Sequence, residues 1–237
     1  SLDERNKPVV IVMKKSVACL ACMFGVAYSG NFYVVIDSET PAQRISAIFS
    51  TLSPIAVLAE NNTRETVESV HTDIKTFYYE SASSCPVDPD GLKAVRNRQI
   101  DTDPLYVLFT SGSTGIPKGA VICHRSVIDY AEWVTATFGI SSQTVFGNQS
   151  PFYFSMSVLD IFSSVRNAAT MYILPKTLFS FPLKLLAFIA ENEINTLYWV
   201  PSALSMIANW KALDYIELPK LAKVLFAGEV MPAKQLN

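Results

Sequence analysis

Residues 105–124 of the chain read LYVLFTSGSTGIPKGAVICH. An apolar run at 105–109 leads directly into small residues at 110–115, and a lysine, Lys118, follows. A short apolar run that ends in glycine and hydroxyl residues is typical of a buried strand followed by a loop. The stretch therefore predicts a strand that ends in a loop whose backbone amides are accessible.

The composition of this loop predicts a binding site for a polyphosphate. Glycines permit dihedrals that aim several backbone N–H groups at one anion, hydroxyls add donors, and a lysine adds a positive charge. The candidate phosphate-binding residues are Thr110, Ser111, Gly112, Ser113, Thr114, Gly115 and Lys118. No glycine directly precedes Lys118 and no Ser or Thr follows it, so the spacing disfavours a P-loop kinase or GTPase. The alternative interpretation is an ordinary flexible turn.

On both sides of the loop, short apolar runs alternate with helical periodicity. We predict strands at 8–13, 32–36, 55–58, 105–109, 145–149, 170–174, 196–200 and 223–226. We predict helices from a Ser16 cap to Gly30 and at 41–52, 124–138, 157–166, 182–191 and 201–208. Alternating strands and helices indicate βαβ units. The predicted class is α/β, with mostly parallel sheets flanked by helices.

A polar stretch at 61–103, broken by prolines and a glycine, interrupts this alternation. Such composition favours surface connections, with one strand at 76–79. We therefore expect two sub-lobes, at 1–103 and 104–237, with the phosphate loop in the second.

Composition and charge exclude several classes of protein. Of 237 residues, 50% are hydrophobic and 17% are charged, which fits a folded chain with a large core. Lys plus Arg total 19 against 21 Asp plus Glu, so no broad basic surface is available for nucleic acid. The apolar run at 17–28 is too short to span a bilayer, and we expect no membrane contact.

The cysteines favour a reducing compartment, and we expect a cytoplasmic protein. There are four, at positions 19, 22, 85 and 123, which is few for this length. Cys19 and Cys22 have CxxC spacing inside an apolar helix, so we expect buried small side chains and no redox or metal site.

Several segments, in order along the chain, resemble the adenylate-forming superfamily. They are GVAYSGNFYVVIDSETPAQRI (25–45), FTSGSTGIPKG (109–119), SPFYFSMSVLDIF (150–162), NTLYWVPSAL (195–204) and KVLFAGEVMP (223–232). The sequences of these segments are most similar to those of amino-acid adenylation domains of nonribosomal peptide synthetases and of D-alanine-activating enzymes. Acyl-CoA synthetases and luciferases belong to the same superfamily.

The resemblance implies an ATP-dependent ligase that activates a carboxylic acid as an acyl-adenylate, with an amino acid as the leading candidate for that acid. The phosphate loop would hold the β and γ phosphates, with Thr114 and Lys118 acting on the reacting phosphates, and Gly228 and Glu229 would lie on the adenine side. The implied acyl-pocket residues are Ser155, Met156, Leu159, Trp199, Leu225 and Ala227. Simple core packing is an equal alternative for Trp199, Leu225 and Ala227.

One departure from the family pattern concerns the substrate. The amino-acid branch has Asp where this chain has Ser155, and a hydroxyl cannot pair with a substrate ammonium. Either the substrate lacks an α-amine, another acid substitutes, or the site has been altered. Asp160 is expected to be an acid on the surface of the following helix. The alternatives are an acyl-CoA synthetase for an aryl or fatty acid, and a noncatalytic nucleotide-binding or interaction module.

The resemblance also implies parts that this chain does not contain. The NxYGPTE segment, the ribose-binding Asp and the small C-terminal domain with its Lys would follow the last residue. We therefore expect an inactive piece of a larger enzyme that uses ATP and Mg²⁺, with the metal ligand in the absent part. The expected partners are a small carboxylic acid and carrier-protein phosphopantetheine or coenzyme A, and the piece is expected to self-associate.

Overall fold

The computed structural model describes residues 5–70, 73–110 and 117–236, and these residues contain a six-stranded and a four-stranded β-sheet. Each sheet lies in its own unit, Ser1–Val127 or Ile128–Asn237. Helices connect the strands in both units. The predicted α/β class with mostly parallel sheets is confirmed.

The first sheet has the order β4-β3-β1-β2-β5-β6. Its strands are β1 (Pro8–Val12), β2 (Phe32–Ile36), β3 (Ala56–Ala59), β4 (Lys75–Tyr78), β5 (Pro104–Thr110) and β6 (Lys118–Cys123). Neighbouring strands are parallel except β6, which runs antiparallel to β5. The helices are α1 (Val17–Tyr28), α2 (Ala42–Leu52), α3 (Arg64–Val70), α4 (Tyr79–Ala82) and α5 (Pro89–Arg96).

The core of the first unit forms around its central strand. Every residue of β1 is buried, as expected for a parallel strand covered on both faces. Helix α2 packs Ile45, Ile48 and Phe49 into the same cluster. Helix α1 begins as predicted at Ser16, whose side chain accepts a hydrogen bond of 3.1 Å from the amide of Cys19.

The second sheet has the order β10-β9-β7-β8, and all of its neighbouring strands are parallel. Its strands are β7 (Val145–Asn148), β8 (Thr170–Ile173), β9 (Thr196–Trp199) and β10 (Lys223–Phe226). Helix α6 (His124–Phe138) begins in the first unit and ends in the second. It is followed by α7 (Ser157–Asn167), α8 (Pro182–Glu191), α9 (Pro201–Asn209) and α10 (Ala233–Leu236).

The structure differs from the sequence prediction in the middle of the chain. The polar stretch contains α3 and α5 in addition to the expected strand, and β6 was not predicted. The chain divides after Val127 rather than after residue 103, because β5 pairs with β2 and β6 pairs with β5. Among the described residues, no helix combines the length and apolar character needed to cross a membrane.

Candidate functional site

The two described residues that flank the glycine-rich loop lie opposite each other. Thr110 ends β5 and Lys118 begins β6, and the two are register partners. The Thr110 hydroxyl donates a hydrogen bond of 3.5 Å to the carbonyl oxygen of Lys118, and both residues are exposed. The Lys118 ammonium is therefore accessible next to the end of β5.

The remaining predicted loop residues lie outside the described part of the chain. They are Ser111, Gly112, Ser113, Thr114 and Gly115. Their assignment to phosphate binding stays a prediction from the sequence.

In the second unit, predicted site residues meet at the carboxyl edge of the sheet. Parallel strands place their carboxyl ends on one edge, where open α/β sheets bind ligands. Gly228 follows β10 with a φ of +89°, and a Cβ built on it would lie 3.5 Å from Met156 Sδ and 3.9 Å from Val200 Cγ1. Segments that precede α7, follow β9 and follow β10 thus converge at this edge.

Glu229, the next residue, makes two hydrogen bonds to the start of α9. Its Oε2 accepts from the backbone N–H of Ser202 at 2.9 Å, and its Oε1 accepts from the Ser202 hydroxyl at 3.2 Å. A carboxylate at this place satisfies an amide that the helix itself leaves unpaired. The turn after β10 is thereby tied to the turn after β9.

The predicted acyl-pocket residues separate into two groups. Leu159 and Leu225 belong to one hydrophobic cluster, together with Tyr198. Trp199 is fully buried in a different cluster, and its Nε1 donates a hydrogen bond of 2.7 Å to the carbonyl oxygen of Gly147. Successive side chains of a strand point to opposite faces, so Tyr198, not Trp199, shares the face of Leu159 and Leu225.

Ser155, Met156 and Ala227 have different exposures at the same edge of the sheet. Ser155 is exposed, whereas Met156 and Ala227 are half-buried. The Ser155 carbonyl oxygen accepts a hydrogen bond of 3.1 Å from the amide of Val158. The hydroxyl at position 155 therefore sits on the turn that leads into α7.

The prediction that Asp160 is a surface acid is wrong. Asp160 is fully buried, and its Oδ2 accepts a hydrogen bond of 2.8 Å from Asn148 Nδ2 at the end of β7. The first turn of α7 packs against that strand, so an acid placed there faces inward. Burial raises the pKa of the neighbouring Tyr198, and the charge of Asp160 raises it further. Asp160 is thus a buried carboxylate held by Asn148.

The histidine and the cysteine pair occupy the elements predicted for them. His124 opens α6, its amide donates to the Asp103 carbonyl oxygen at 3.1 Å, and burial lowers the pKa of its imidazole. Cys19 and Cys22 are free and buried in α1, as expected. Within residues 5–70, 73–110 and 117–236, no cluster of three or more His, Cys, Asp or Glu side chains is arranged to hold a metal ion.

Comparison with known proteins assigns the family. The AMP-binding enzyme family matches residues 4–237, and the chain belongs to that family. The chain is 29% identical over 231 residues to a D-alanine--D-alanyl carrier protein ligase from Staphylococcus haemolyticus, covering 98% of this chain and 46% of that protein. It is 30% identical over 239 residues to an L-proline--[L-prolyl-carrier protein] ligase from Pseudomonas fluorescens, covering 98% of this chain and 48% of that protein. The chain thus spans about half the length of these relatives.

Solved structures show the same fold. A nonribosomal peptide synthetase, FmoA3, superposes with a TM-score of 0.83 at 22% identity, covering 98% of this chain and 24% of that one. A fatty acyl-adenylate ligase from L. pneumophila, solved with acyl adenylate and pyrophosphate, gives a TM-score of 0.82 at 16% identity, covering 99% and 42%. These likenesses show that the chain shares the fold of the matched parts of these proteins.

Proposed function

We propose that the polypeptide containing this chain activates a carboxylic acid as an acyl-adenylate. The leading candidate for that acid is an amino acid. A carboxylate oxygen attacks the α-phosphorus of ATP and forms the acyl–phosphate bond. The bond from the α-phosphorus to the oxygen that bridges the α and β phosphates breaks, and pyrophosphate leaves with that oxygen and the electron pair. A thiol then attacks the acyl carbon and AMP leaves. The observation that carries the proposal is the exposed Lys118, paired with Thr110 at the ends of a glycine- and hydroxyl-rich sequence, in a chain of the AMP-binding enzyme family.

The loop contributes charge neutralisation and positioning. Residues 110–115 are proposed to hold the β and γ phosphates through amide and hydroxyl donors, while Lys118 and Thr114 stabilise the charge that moves to pyrophosphate. The segment with Gly228 and Glu229 is proposed to face the adenine. Holding carboxylate and phosphate in line lowers the entropic part of the barrier. Mg²⁺ is the expected counter-ion of ATP, and the described residues offer no cluster of His, Cys, Asp or Glu side chains to hold it.

The acyl group is proposed to lie at the carboxyl edge of the second sheet. Met156, Leu159, Leu225 and Ala227 would supply apolar surface there, with Ser155 at the entrance. Trp199 is buried in a different cluster from Leu159 and Leu225, which favours the core-packing alternative for it. The carrier-protein ligases of D-alanine and L-proline among the relatives support an amino acid as substrate.

Ser155 favours a second candidate, a ligase for an aryl or fatty acid that passes the acyl group to coenzyme A. The hydroxyl offers no counter-charge for an ammonium, and the Asp160 carboxylate is buried against Asn148. A panel of amino, hydroxy, aryl and fatty acids in ATP–pyrophosphate exchange separates the two. Exchange with amino acids alone supports the first candidate, and exchange with aryl or fatty acids alone supports the second.

Lys118→Ala tests the phosphate loop in the full polypeptide. Losing one charge-assisted contact to phosphate should slow exchange by roughly 10- to 100-fold. Lys220→Ala is the matched control, because Lys220 is exposed and lies 4.0 Å from Glu193 in a surface ion pair. Unchanged exchange in Lys118→Ala, or no exchange with any acid, would contradict the proposal.

The proposed thiol acceptor is the phosphopantetheine of a carrier protein, with coenzyme A as the acceptor of the second candidate. We also propose a reducing, cytoplasmic location, which the four free cysteines support. The 237-residue chain is further proposed to self-associate, since the outer strands of both sheets lack a neighbour on one side among the described residues.

A further inference from the structure

Helix α9 lacks a cap of its own. The residue before it, Val200, has no side-chain hydrogen bond to the helix, and Pro201 occupies the first turn. The first amides of a helix need partners from outside its hydrogen-bond ladder. Glu229, 27 positions after Ser202, provides one by accepting from the Ser202 amide and hydroxyl. A carboxylate at this helix end also interacts favourably with the helix dipole.

This cap lies next to the proposed acyl site. Glu229 is joined to Gly228, which lies close to Met156 and Val200 and has a left-handed backbone. Ala227, a proposed pocket residue, precedes Gly228. Fixing the Glu229 carboxylate on α9 therefore fixes the position of the Ala227–Gly228 peptide against Met156.

A second hydrogen bond joins the segment after β10 to α9, at the other end of that helix. Gln235 Nε2, in α10, donates a hydrogen bond of 3.0 Å to Asn209 Oδ1, at the last residue of α9. Asn209 is the last residue of α9, whereas Ser202 lies in its first turn. The chain thus offers a matched control, an exposed polar tie between the same segments that does not touch the proposed pocket.

We propose that Glu229 is a positioning residue for the acyl group. Its side chain caps α9 and thereby holds Ala227 and Gly228 as one wall of the acyl site, without contacting the nucleotide. This inference rests on the proposed function, and it assigns the Glu229 carboxylate a role different from the adenine-side role of the surrounding segment.

The test compares Glu229→Ala, Glu229→Gln and Gln235→Ala in the full polypeptide by ATP–pyrophosphate exchange. Losing the cap should raise KM for the acid roughly 3- to 30-fold, with kcat and KM for ATP nearly unchanged. Glu229→Gln should restore KM, because its amide oxygen still accepts from the Ser202 N–H. Gln235→Ala should behave as the wild type. Amide hydrogen exchange at Ser202 should be faster in Glu229→Ala only.

Each other outcome overturns the inference in a distinguishable way. A rise in KM for ATP that Glu229→Gln does not restore would mean that the carboxylate contacts nucleotide. Faster amide hydrogen exchange at Ser202 with an unchanged KM for the acid would mean that the cap stabilises α9 but does not position the acyl site. Unchanged amide hydrogen exchange at Ser202 in Glu229→Ala would mean that Glu229 does not cap α9. No pyrophosphate exchange by the wild type would overturn the proposed function, and the role of Ala227 and Gly228 with it.

Discussion

Asp160 and Trp199 show what the sequence alone could not decide about individual side chains. A helical acid after FSMSV is exposed or buried according to which face of α7 meets the sheet, and that depends on long-range packing. Tyr198 and Trp199 must point to opposite faces of β9, but periodicity does not say which face lies on the side of Leu159 and Leu225. The sequence therefore predicted the strand, whereas the face that each of the two side chains occupies depends on packing.

Asp160→Ala should lower the free energy of unfolding by about 2–4 kcal/mol, since the Asn148 amide loses its buried acceptor and a small cavity forms. Urea unfolding followed by circular dichroism measures the change. Asp160→Asn, which keeps an acceptor oxygen, should lose less. Asp129→Ala, at an exposed position of α6, should stay within about 0.5 kcal/mol of the wild type. Equal stability of Asp160→Ala and the wild type would show that the buried pair contributes nothing.

Among the secondary-structure elements, those with strong apolar patterns were predicted well. The observed bounds of β2, α6, α8 and β10 are the predicted ones. The elements that were missed bury little surface. Helix α5 has no buried residue, α3 buries only Val67, and four of the six residues of β6 are exposed. These elements carry few apolar residues that a core could bury, and pairing with β5 decides the conformation of β6.

Strand β10 forms one edge of the second sheet, and its side chains carry the prediction of self-association. Val224 and Phe226 are 42% and 40% exposed, which is unusual for apolar residues of an edge strand. We expect light scattering of the 237-residue chain to show a mass above that of the monomer, rising with concentration. Val224→Lys should shift the mass toward the monomer, because a charged edge opposes strand pairing.

Val165→Lys is the control for this prediction, since Val165 is 62% exposed on α7 and lies on no sheet edge. It should leave the mass unchanged. A clean monomer of the wild-type chain at high concentration would rule out association, and equal effects of the two variants would rule out the β10 edge as its site.

At the scale of the whole molecule, the buried thiols make stability depend on pH. Burial raises the pKa of Cys22 from 9.0 to about 11, and it raises that of Cys19 as well, with a further increase from the neighbouring Cys22. The thiols of the unfolded chain therefore lose their protons at a lower pH than those of the folded chain. The stabilisation is fully present below pH 9 and is lost as the pH rises from about 9 toward 11.

Urea unfolding of the chain between pH 7 and 10.5 should show this loss of stability, and the variant with Cys19→Ala and Cys22→Ala should show a smaller slope. Cys85→Ala removes an exposed thiol and should leave the slope as it is. Identical slopes in all three proteins would mean that the thiols of α1 ionise equally in the folded and unfolded chain.

The antiparallel pairing of β5 and β6 also bears on how the chain reaches its native state. Thr110 and Lys118 are joined by a short loop closure, whereas the pairing of Tyr33 with Tyr106 must bring together distant parts of the polypeptide. The entropy lost on closing a loop grows with its length. Thr110 and Lys118 are therefore brought together by closing a short loop. The entropy lost in that step is separate from the entropy lost in assembling the rest of the sheet.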